Sequence, residues 1–505
     1  MGKMTTIPVK VKHNGKNYDV SMNLEGTGLD FKRAIADVTH VPPERQKVLI
    51  KGGLLKDDTP LGKVGARAGQ QFMVLGAVGE LPKAPEKPVQ FLEDLPEDEL
   101  NKAKDLRVGL VNLGNTCYLN ATLQLLRAIP QLEDALNAFP GRIGSNQGDA
   151  SFTAALRDLF QDMRKTTEPV PPLVLLSTLR KIAPQFAEMS STSGGFAQQD
   201  AEEAWLQIIQ ALASSRVATT PSEPLVAQYL TGHMSIERRC KEAPNETPAQ
   251  LDEPFQILQC TISSQTNDME SGILDSFSQK LEKHSEQLQR TAVYDETRRI
   301  TRLSEYLFVH FVRFYWRRDI NKKTKIMRKV KFPKELDASS LVTPELARRL
   351  SPVSAKIRAV EKERADRAKI RARAKERHLE LGAVEGGALT DEQEREQRSK
   401  EAADIQATID PDLSSDHGCN VSGLYDLVGI VTHKGAAADA GHYMSWVRKS
   451  AVDPPSDSLD APSQDWYKFD DDKVTIVPPE KIEMLYGGGE DSVAYILLYR
   501  AKSLS

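Results

Sequence analysis

The stretch GLVNLGNTCYLNATLQLL, residues 109–126, decides how this chain of 505 residues folds around a chemical centre. Its glycines allow tight turns, and its leucines recur every three or four residues, the spacing of one buried helical face. The pattern predicts a loop followed by a helix, with Cys117 near the helix N-terminus. Free N–H groups and the helix dipole favour a thiolate there, so Cys117 is a candidate nucleophile. The alternative is a buried structural cysteine.

The composition is that of a globular protein with more than one domain, since 40% of the residues are hydrophobic and 27% are charged. Four cysteines without a CxxC pair argue against a disulfide framework and against a cysteine-built zinc site. They fit the reducing cytoplasm and nucleus. A net charge of −4 and the lack of a membrane-length apolar run indicate neither nucleic acid nor membrane as a partner.

The first 79 residues alternate apolar and polar residues in four short runs around one helical period. The expected elements are strands at 5–12, 17–24, 46–51 and 70–76, with a helix at 28–38. This order, the Pro42-Pro43 step and the segment LLKDDTPLGKVGARAGQQFMVL (54–75) resemble ubiquitin and the ubiquitin-like domains. The resemblance implies a β-grasp domain over residues 1–79 that serves as a docking module.

Strand alternation predicts what this module presents to a partner. If Val48 and Val74 face the core, then Leu49, Met73 and Leu75 face solvent on neighbouring strands. Three exposed apolar residues indicate a docking patch, although scattered surface hydrophobes are the alternative. Residues 1–79 carry 12 Lys and Arg against 7 Asp and Glu, which suits an acidic receptor.

The rest of the chain divides into a linker and one large unit. Residues 80–105 are rich in Pro, Glu and Lys and predict a semi-extended linker. From 106 to 501, helical periods come first and β-rich runs follow, which predicts an α+β domain. Residues 355–408 interrupt it with Arg, Lys, Glu and Ala and no wide apolar stripe, which predicts a charged helical insertion.

The C-terminal part supplies a base and an acid for Cys117. If 442–449 pairs with 465–472, residues whose numbers sum to about 912 lie opposite one another, and His442 and Asp470 are such a pair. Asp470 would orient the imidazole of His442 as general base. His433 is the competing base. Asp471 and Asp472 are the alternative acids, and Asp471 is the poorer one because adjacent strand residues face opposite ways.

Six separate stretches of the sequence resemble the ubiquitin-specific proteases. The cysteine stretch 109–126 is similar to their cysteine box, and AGHYMSWV (440–447) with WYKFDDDKV (466–474) to their histidine box. QQDAEE (198–203), DEPFQILQC (252–260) and DSVAYILLYR (491–500) follow in the family's order. The resemblance implies a papain-like fold with fingers, palm and thumb and a cysteine protease that cleaves after the C-terminal glycine of ubiquitin, without a cofactor.

The same resemblance assigns catalytic roles to four residues. It implies Cys117 as nucleophile, His442 as base, Asp470 as its orienting acid and Asn112 as an oxyanion donor. From spacing alone, Asn112 could instead make a local turn bond.

Substrate contacts are also implied by the resemblance, at Gln199, Asp200 and Tyr443. An aspartate suits the arginines that precede the ubiquitin glycines. On its own residues, QQDAEE could equally be a helix N-cap with acids in the first turn.

Partners and regulation follow from the combination of the two domains. It resembles the proteasome-associated part of the family and implies ubiquitin, ubiquitinated proteins and the proteasome regulatory particle as partners. The resemblance implies that segments 317–328 and 434–441 are loops that obstruct the ubiquitin-tail channel, and their compositions suit mobile surface loops. A non-catalytic ubiquitin-binding scaffold is the second hypothesis, and a protease for another ubiquitin-like modifier is the third.

Overall fold

The computed structural model describes residues 5–51, 53–76, 107–190, 194–218, 223–317, 322–376, 388–435, 441–453, 459, 463–489 and 492–503. Two compact units make up the chain, Met1–Phe91 and Leu92–Ser505. The predicted linker, 80–105, lies outside the described residues. Within the described residues, no helix combines the length and the apolar character that a membrane span requires.

The first unit is a five-stranded sheet that packs on one helix. Its strands are β1 (Thr6–His13), β2 (Lys16–Asn23), β3 (Lys47–Ile50), β4 (Gly53–Leu54) and β5 (Gln71–Leu75), and its helix is α1 (Gly28–Thr39). The sheet order is β2-β1-β5-β3-β4, with β1 and β5 parallel. Asn14 and Gly15 both have positive φ, as a two-residue hairpin turn requires. The predicted β-grasp fold is confirmed.

One face of this sheet is buried and the other carries exposed apolar residues. Val48, Phe72 and Val74 are at most 1% exposed. On the opposite face, the exposed fractions are 40% for Leu49, 47% for Met73 and 53% for Leu75, and Leu49 lies opposite Met73. Leu54 is 51% exposed and pairs with Leu49, so it extends the same apolar patch.

The second unit begins with helices. They are α2 (Cys117–Leu126), α3 (Pro130–Ala138), α4 (Gly148–Lys165), α5 (Leu173–Ile182) and α6 (Ala201–Ser214). Helix α2 is buried along its whole length and packs between α6 and the large sheet. This burial explains why its polar members, such as Asn120 and Gln124, hydrogen-bond to backbone carbonyls.

Two sheets and a helix follow. The outer sheet, in the order β7-β6-β10-β9, consists of β6 (Gly232–Cys240), β7 (Ala249–Phe255), β9 (Ser278–Ser285) and β10 (Arg290–Arg302). Helix α7 (Met269–Ser276) packs on β8. The central sheet runs β18-β17-β16-β15-β19-β11-β8, with β14 paired to β15. Its strands are β8 (Ile257–Thr261), β11 (Tyr306–Val312), β14 (Glu335–Asp337), β15 (Leu424–Lys434), β16 (His442–Arg448), β17 (Trp466–Asp470), β18 (Lys473–Val477) and β19 (Val493–Ala501).

Segment 317–328, expected to be a loop, includes a strand. β12 (Phe314–Arg317) pairs with β13 (Lys322–Lys325) in a two-stranded hairpin whose tip lies outside the described residues. The composition of the segment indicated a surface loop because charged residues dominate it. Of 434–441, residues 434, 435 and 441 are described, and Lys434 closes β15.

The charged region 355–408 includes parts of two long helices, α8 (Pro344–Glu376) and α9 (Asp391–Thr408), and its residues 377–387 lie outside the described residues. Their inner halves share a small apolar cluster that includes Val353, Ile357 and Ile405. Farther out the helices are joined by ion pairs of Arg364 and Arg367 with buried Glu401. The apolar stripe in the sequence of this region is narrow because ion pairs replace apolar contacts along the outer half of α8 and α9. Two short α-helices are also present, Pro411–Ser415 and Lys449–Val452.

Candidate active site

Cys117 is the first residue of α2, as the cysteine stretch predicts. The loop before it turns through left-handed residues, Gly114 with φ 93° and Asn115 with φ 55°. The Asn112 side-chain oxygen accepts hydrogen bonds from the backbone N–H groups of Gly114 (2.9 Å) and Thr116 (3.2 Å). These bonds fix the loop that starts the helix. Cys117 is only 2% exposed, and its helix packs on β16, the strand that begins at His442.

His442 joins Cys117 to Asp470. Its Nε2 lies 2.6 Å from Oδ1 of Asp470, so Nδ1 is the nitrogen available to Cys117. The hydrogen bond with Cys117 raises the pKa of His442 to about 9, against the effect of burial and with further help from Asp470. Burial opposes ionisation of Asp470, but the hydrogen bond and charge of His442 prevail and lower the pKa of its carboxyl. At neutral pH the imidazole is therefore an imidazolium beside a carboxylate.

The register that brings His442 and Asp470 together differs from the predicted one. Ser445 lies opposite Phe469 and Arg448 opposite Trp466, which displaces the predicted pairing by two residues. The ladder stops before His442, so the two residues are not directly opposite. Their side chains meet diagonally, a separation that long side chains span. The predicted contact is present, whereas the predicted cross-strand pairing was wrong.

Asp471 is more deeply engaged than its neighbours. Its carboxylate accepts hydrogen bonds from the side-chain amides of Asn112 (2.8 Å) and Asn120 (2.8 Å), and its side chain is 10% exposed. Strand alternation ranked it as the poorer acid, but it has φ 53° and sits in the turn between β17 and β18, where alternation does not apply. The signal available in the sequence is the acidic run DDD between two strands, a typical turn composition.

Asn112 therefore has both parts of its amide occupied. The oxygen makes the local turn bonds, and the nitrogen donates to Asp471. The amide is thus held in the same hydrogen-bonded network as the acid run that contacts His442. Its role as an oxyanion donor stays a prediction.

His433, the competing base, is fully buried and already bonded. Its Nδ1 lies 3.0 Å from the ammonium of Lys325. Burial, with the nearby charges of Lys325 and His442, lowers the pKa of His433 to about 3. A neutral, enclosed imidazole cannot reach a substrate, so the geometry favours His442 as base. Lys325 had no signal in the sequence, because 108 residues separate it from His433.

The residues expected to contact the ubiquitin tail lie at the start of α6 and in β16. Asp200 is the N-cap of α6: it accepts from the N–H of Glu202 and from the hydroxyl of Tyr495. Gln199, next to it, is partly exposed. Tyr443 is 1% exposed and packs against the rings of His433 and Tyr495. It supports the site from beneath, and its burial does not suit the predicted direct contact with substrate.

The outer sheet is held by hydrogen bonds and packing in the part that is described. Buried Glu296 on β10 accepts from Arg238, Arg298 and Gln279. Cys240 and Cys260 are both buried as free thiols. Across the described residues, the group of His442, Asp470 and Asp471 brings three potential metal ligands within 4.8 Å. Hydrogen bonds and the His–Asp ion pair account for that proximity.

The fold and the site together define a cysteine-type hydrolase joined to a ubiquitin-like domain. Comparison with known families agrees: the profile described as "Ubiquitin carboxyl-terminal hydrolase" matches residues 108–499, and the profile "Ubiquitin family" matches residues 7–78.

Several curated proteins are similar over nearly their full length. Ubiquitin carboxyl-terminal hydrolase 6 of Schizosaccharomyces pombe is 42% identical, over 99% of this chain and 100% of that protein. Ubiquitin carboxyl-terminal hydrolase 6 of Arabidopsis thaliana is 37% identical, over 94% of each. Ubiquitin carboxyl-terminal hydrolase 14 of Caenorhabditis elegans is 30% identical, over 98% of this chain and 93% of that protein. The chain belongs to the ubiquitin carboxyl-terminal hydrolase family and is a cysteine-type deubiquitinase.

Proposed function

We propose that this deubiquitinase hydrolyses the bond after the C-terminal glycine of ubiquitin by Cys117, His442 and Asp470. The observation that carries the proposal is the line of contacts from Cys117 through the His442 imidazole to Asp470, with His442 held as an imidazolium. A thiolate beside an imidazolium is the reactive pair of cysteine proteases.

The reaction takes two steps. The Cys117 thiolate attacks the glycine carbonyl carbon, and the carbonyl oxygen becomes an oxyanion that the backbone N–H of Cys117 and the Asn112 amide stabilise. The intermediate collapses with cleavage of the C–N bond, and the imidazolium of His442 gives its proton to the departing lysine amine. His442 then takes a proton from water, which attacks the thioester and releases the ubiquitin carboxylate and the thiol.

For Asn112 to serve as oxyanion donor, its amide nitrogen must exchange Asp471 for the oxyanion, or rotate enough to bond both. Gln199 and Asp200, at the start of α6, are the proposed contacts of the substrate tail. Because Asp200 is already an N-cap, any contact with a ubiquitin arginine uses the remaining lone pairs of its carboxylate.

The experiment that tests this chemistry is reaction with ubiquitin that carries an electrophilic C-terminus. Wild-type protein should form a covalent adduct, whereas Cys117→Ala should form none. Cys419→Ala is a matched control, because Cys419 is the most exposed of the four cysteines, and its adduct should equal that of wild type. An absent adduct in wild type, also with proteasome present, would favour the non-catalytic scaffold.

We further propose that the ubiquitin-like domain docks the enzyme on the proteasome regulatory particle in cytoplasm and nucleus. The proposed docking surface is the apolar patch of Leu49, Leu54, Met73 and Leu75, with Lys12 and Lys47 as register partners of Met73 and Leu75. Apolar residues flanked by lysines suit an apolar surface rimmed by acids.

Two variants of the full-length chain test the docking surface. Met73→Asp should weaken binding to purified proteasome by about tenfold or more, because it puts a charge in the centre of an apolar contact. Asp19→Ala, at an exposed position of β2, is the control and should bind as wild type does. Turnover of a ubiquitin fluorogenic substrate without proteasome should be the same for both. Unchanged binding of Met73→Asp would remove this patch from the interface.

A further inference from the structure

Lys325, the last residue of β13, is a buried lysine whose ammonium contacts the end of β15. β15 is the strand that pairs with β16 at His442. The Nζ of Lys325 donates to Nδ1 of His433 (3.0 Å), to the carbonyl oxygen of His433 (2.8 Å) and to that of Gly435 (2.9 Å). Lys325 is 5% exposed. An ammonium has three N–H groups, and here each has an acceptor.

Lys325 is also one of a pair of residues that bind the hairpin β12–β13 to His433. In the hairpin register Lys325 lies opposite Phe314. The ring of Phe314 meets the His433 imidazole edge-on at 5.2 Å between centroids. Both residues at the open end of the hairpin therefore contact the same imidazole. Lys325 does so through a hydrogen bond and Phe314 through its ring.

The two carbonyls that Lys325 binds flank Lys434, and Lys434 is the register partner of His442. His433 also packs closely against the backbone of Gly441, the residue before His442. A Cβ added at Gly441 would lie 2.4 Å from Nε2 of His433 and 2.5 Å from the carbonyl oxygen of Lys434. The backbone that enters His442 therefore rests directly on the imidazole that Lys325 holds.

His433 is the acceptor of this contact and not a base. Because the Lys325 ammonium only donates, Nδ1 of His433 is unprotonated and the proton of the neutral ring is on Nε2. Among the described residues, that Nε2 has no hydrogen-bond partner. His433 thus accepts from Lys325 through Nδ1 while its Nε2–H stays without an acceptor, which indicates a structural role for this histidine.

We propose that Lys325 is the positioning residue of His442: it clamps the end of β15 through His433 and Gly435, and so ties the catalytic histidine to the hairpin β12–β13. Lys325 touches no reacting atom. The proposal rests on the proposed function in taking His442 as the base. The contacts of Lys325 couple the hairpin β12–β13 to His442, so a displacement of the hairpin should also displace His442.

The first test measures the clamp without activity. In the full-length protein, Lys325→Met keeps the length of the side chain and removes the three donors. Hydrogen exchange of the segment 441–448 should become about tenfold faster, because the strand end opens locally. Lys331→Met, an exposed lysine six residues on, should exchange as wild type does. If Lys325→Met does not fold, Lys325→Gln, which retains two donors, takes its place. Unchanged exchange at 441–448 would overturn the clamp.

The second test measures the position of His442 by kinetics. With a ubiquitin fluorogenic substrate, kcat of Lys325→Met should fall by roughly tenfold to a hundredfold, as misplacement by about 1 Å does, with KM within about twofold. The alkaline limit of kcat/KM should move to lower pH, because His442 loses the contacts with Cys117 and Asp470 that raise its pKa. A raised KM with kcat and the pH limit unchanged would overturn the positioning role.

The two tests separate this proposal from the proposed function. If wild-type protein has no Cys117-dependent turnover, the catalytic assignment fails, and the exchange of 441–448 still decides whether Lys325 holds the strand end. If wild type turns over substrate and both measurements match those of Lys331→Met, the catalytic assignment stands and the positioning role falls.

Discussion

Two neighbouring aspartates, Asp470 and Asp471, have different hydrogen-bond partners around the Cys117–His442 pair. Asp470 bonds the imidazole of His442, whereas Asp471 bonds the amides of Asn112 and Asn120. One carboxylate therefore sets the charge of the proposed base, and the other sets the shape of the loop that precedes the proposed nucleophile. The two roles can be distinguished by substitution.

Removing Asp470 should act on the pH profile. Asp470→Ala takes away a contact that raises the pKa of His442, so the imidazolium loses its proton at lower pH and activity should fall at lower pH on the alkaline side than in wild type. We expect kcat to fall by about a hundredfold, the scale of acid–base catalysis. The measurement is kcat/KM against pH with a ubiquitin fluorogenic substrate. Asp472→Ala, exposed in the same acidic run, should match wild type. An alkaline limit in Asp470→Ala equal to that of wild type would contradict this assignment.

Removing Asp471 should act on stability as well as on rate. Asp471→Ala removes the carboxylate that accepts from the amides of Asn112 and Asn120, and buried Asn120 keeps only its longer bonds to the carbonyls of Leu110 (3.3 Å) and Val111 (3.4 Å). A hydrogen bond to a charged group contributes about 1.5–3 kcal/mol, so the free energy of unfolding in urea should fall by about that amount. Turnover should fall too, because the loop before Cys117 loses its anchor. If Asp471→Ala and Asp470→Ala have the same free energy of unfolding, the hydrogen bonds of Asp471 do not stabilise the fold in this way.

The residues of this site were predictable to different degrees, for physical reasons. Cys117 follows from a local helix signal and His442 with Asp470 from a local hairpin. Asp471 was misjudged because its positive φ removes it from the alternation of the strand. Lys325 and Asn120 owe their roles to contacts over more than a hundred residues, which no spacing in the sequence encodes.

At the level of elements, the central sheet was predictable and the outer sheet was not. Strands β11, β15, β16 and β19 are buried on nearly every residue, and so read as apolar runs. Strand β7 is exposed on all residues but the last, and β9 is nearly so. With polar residues on both faces, these strands carry no alternation, and the sequence predicted a strand at neither position.

The outer sheet should depend on one buried carboxylate. Glu296 on β10 is 1% exposed and accepts from Arg238 and Arg298, so Glu296→Ala leaves two arginines without their partner in the sheet. Breaking a buried ion pair costs about 3–5 kcal/mol, and the melting temperature should fall accordingly. Glu282→Ala, at an exposed position of β9, should melt as wild type does. Equal melting of the two variants would refute the role of Glu296.

For the whole molecule, the charge is unevenly divided. Residues 1–79 carry 12 Lys and Arg against 7 Asp and Glu, while the chain as a whole has net charge −4. If the proposed docking surface meets an acidic receptor, salt should screen the attraction and slow association. Binding of the full chain to proteasome should weaken between about 50 and 300 mM KCl through a lower association rate. A salt-independent rate would argue for a purely apolar contact.

The place of β19 in the central sheet has a consequence for biosynthesis. This strand, the last one described along the chain, lies between β15 and β11 and pairs with both. Until the ribosome has released Val493–Ala501, the sheet remains in two halves, and β16 with His442 belongs to the half that β11 does not touch. A nascent or prematurely terminated chain that lacks this strand should therefore leave the two halves of the sheet unjoined. We expect no turnover of a ubiquitin fluorogenic substrate by a chain that stops before Val493.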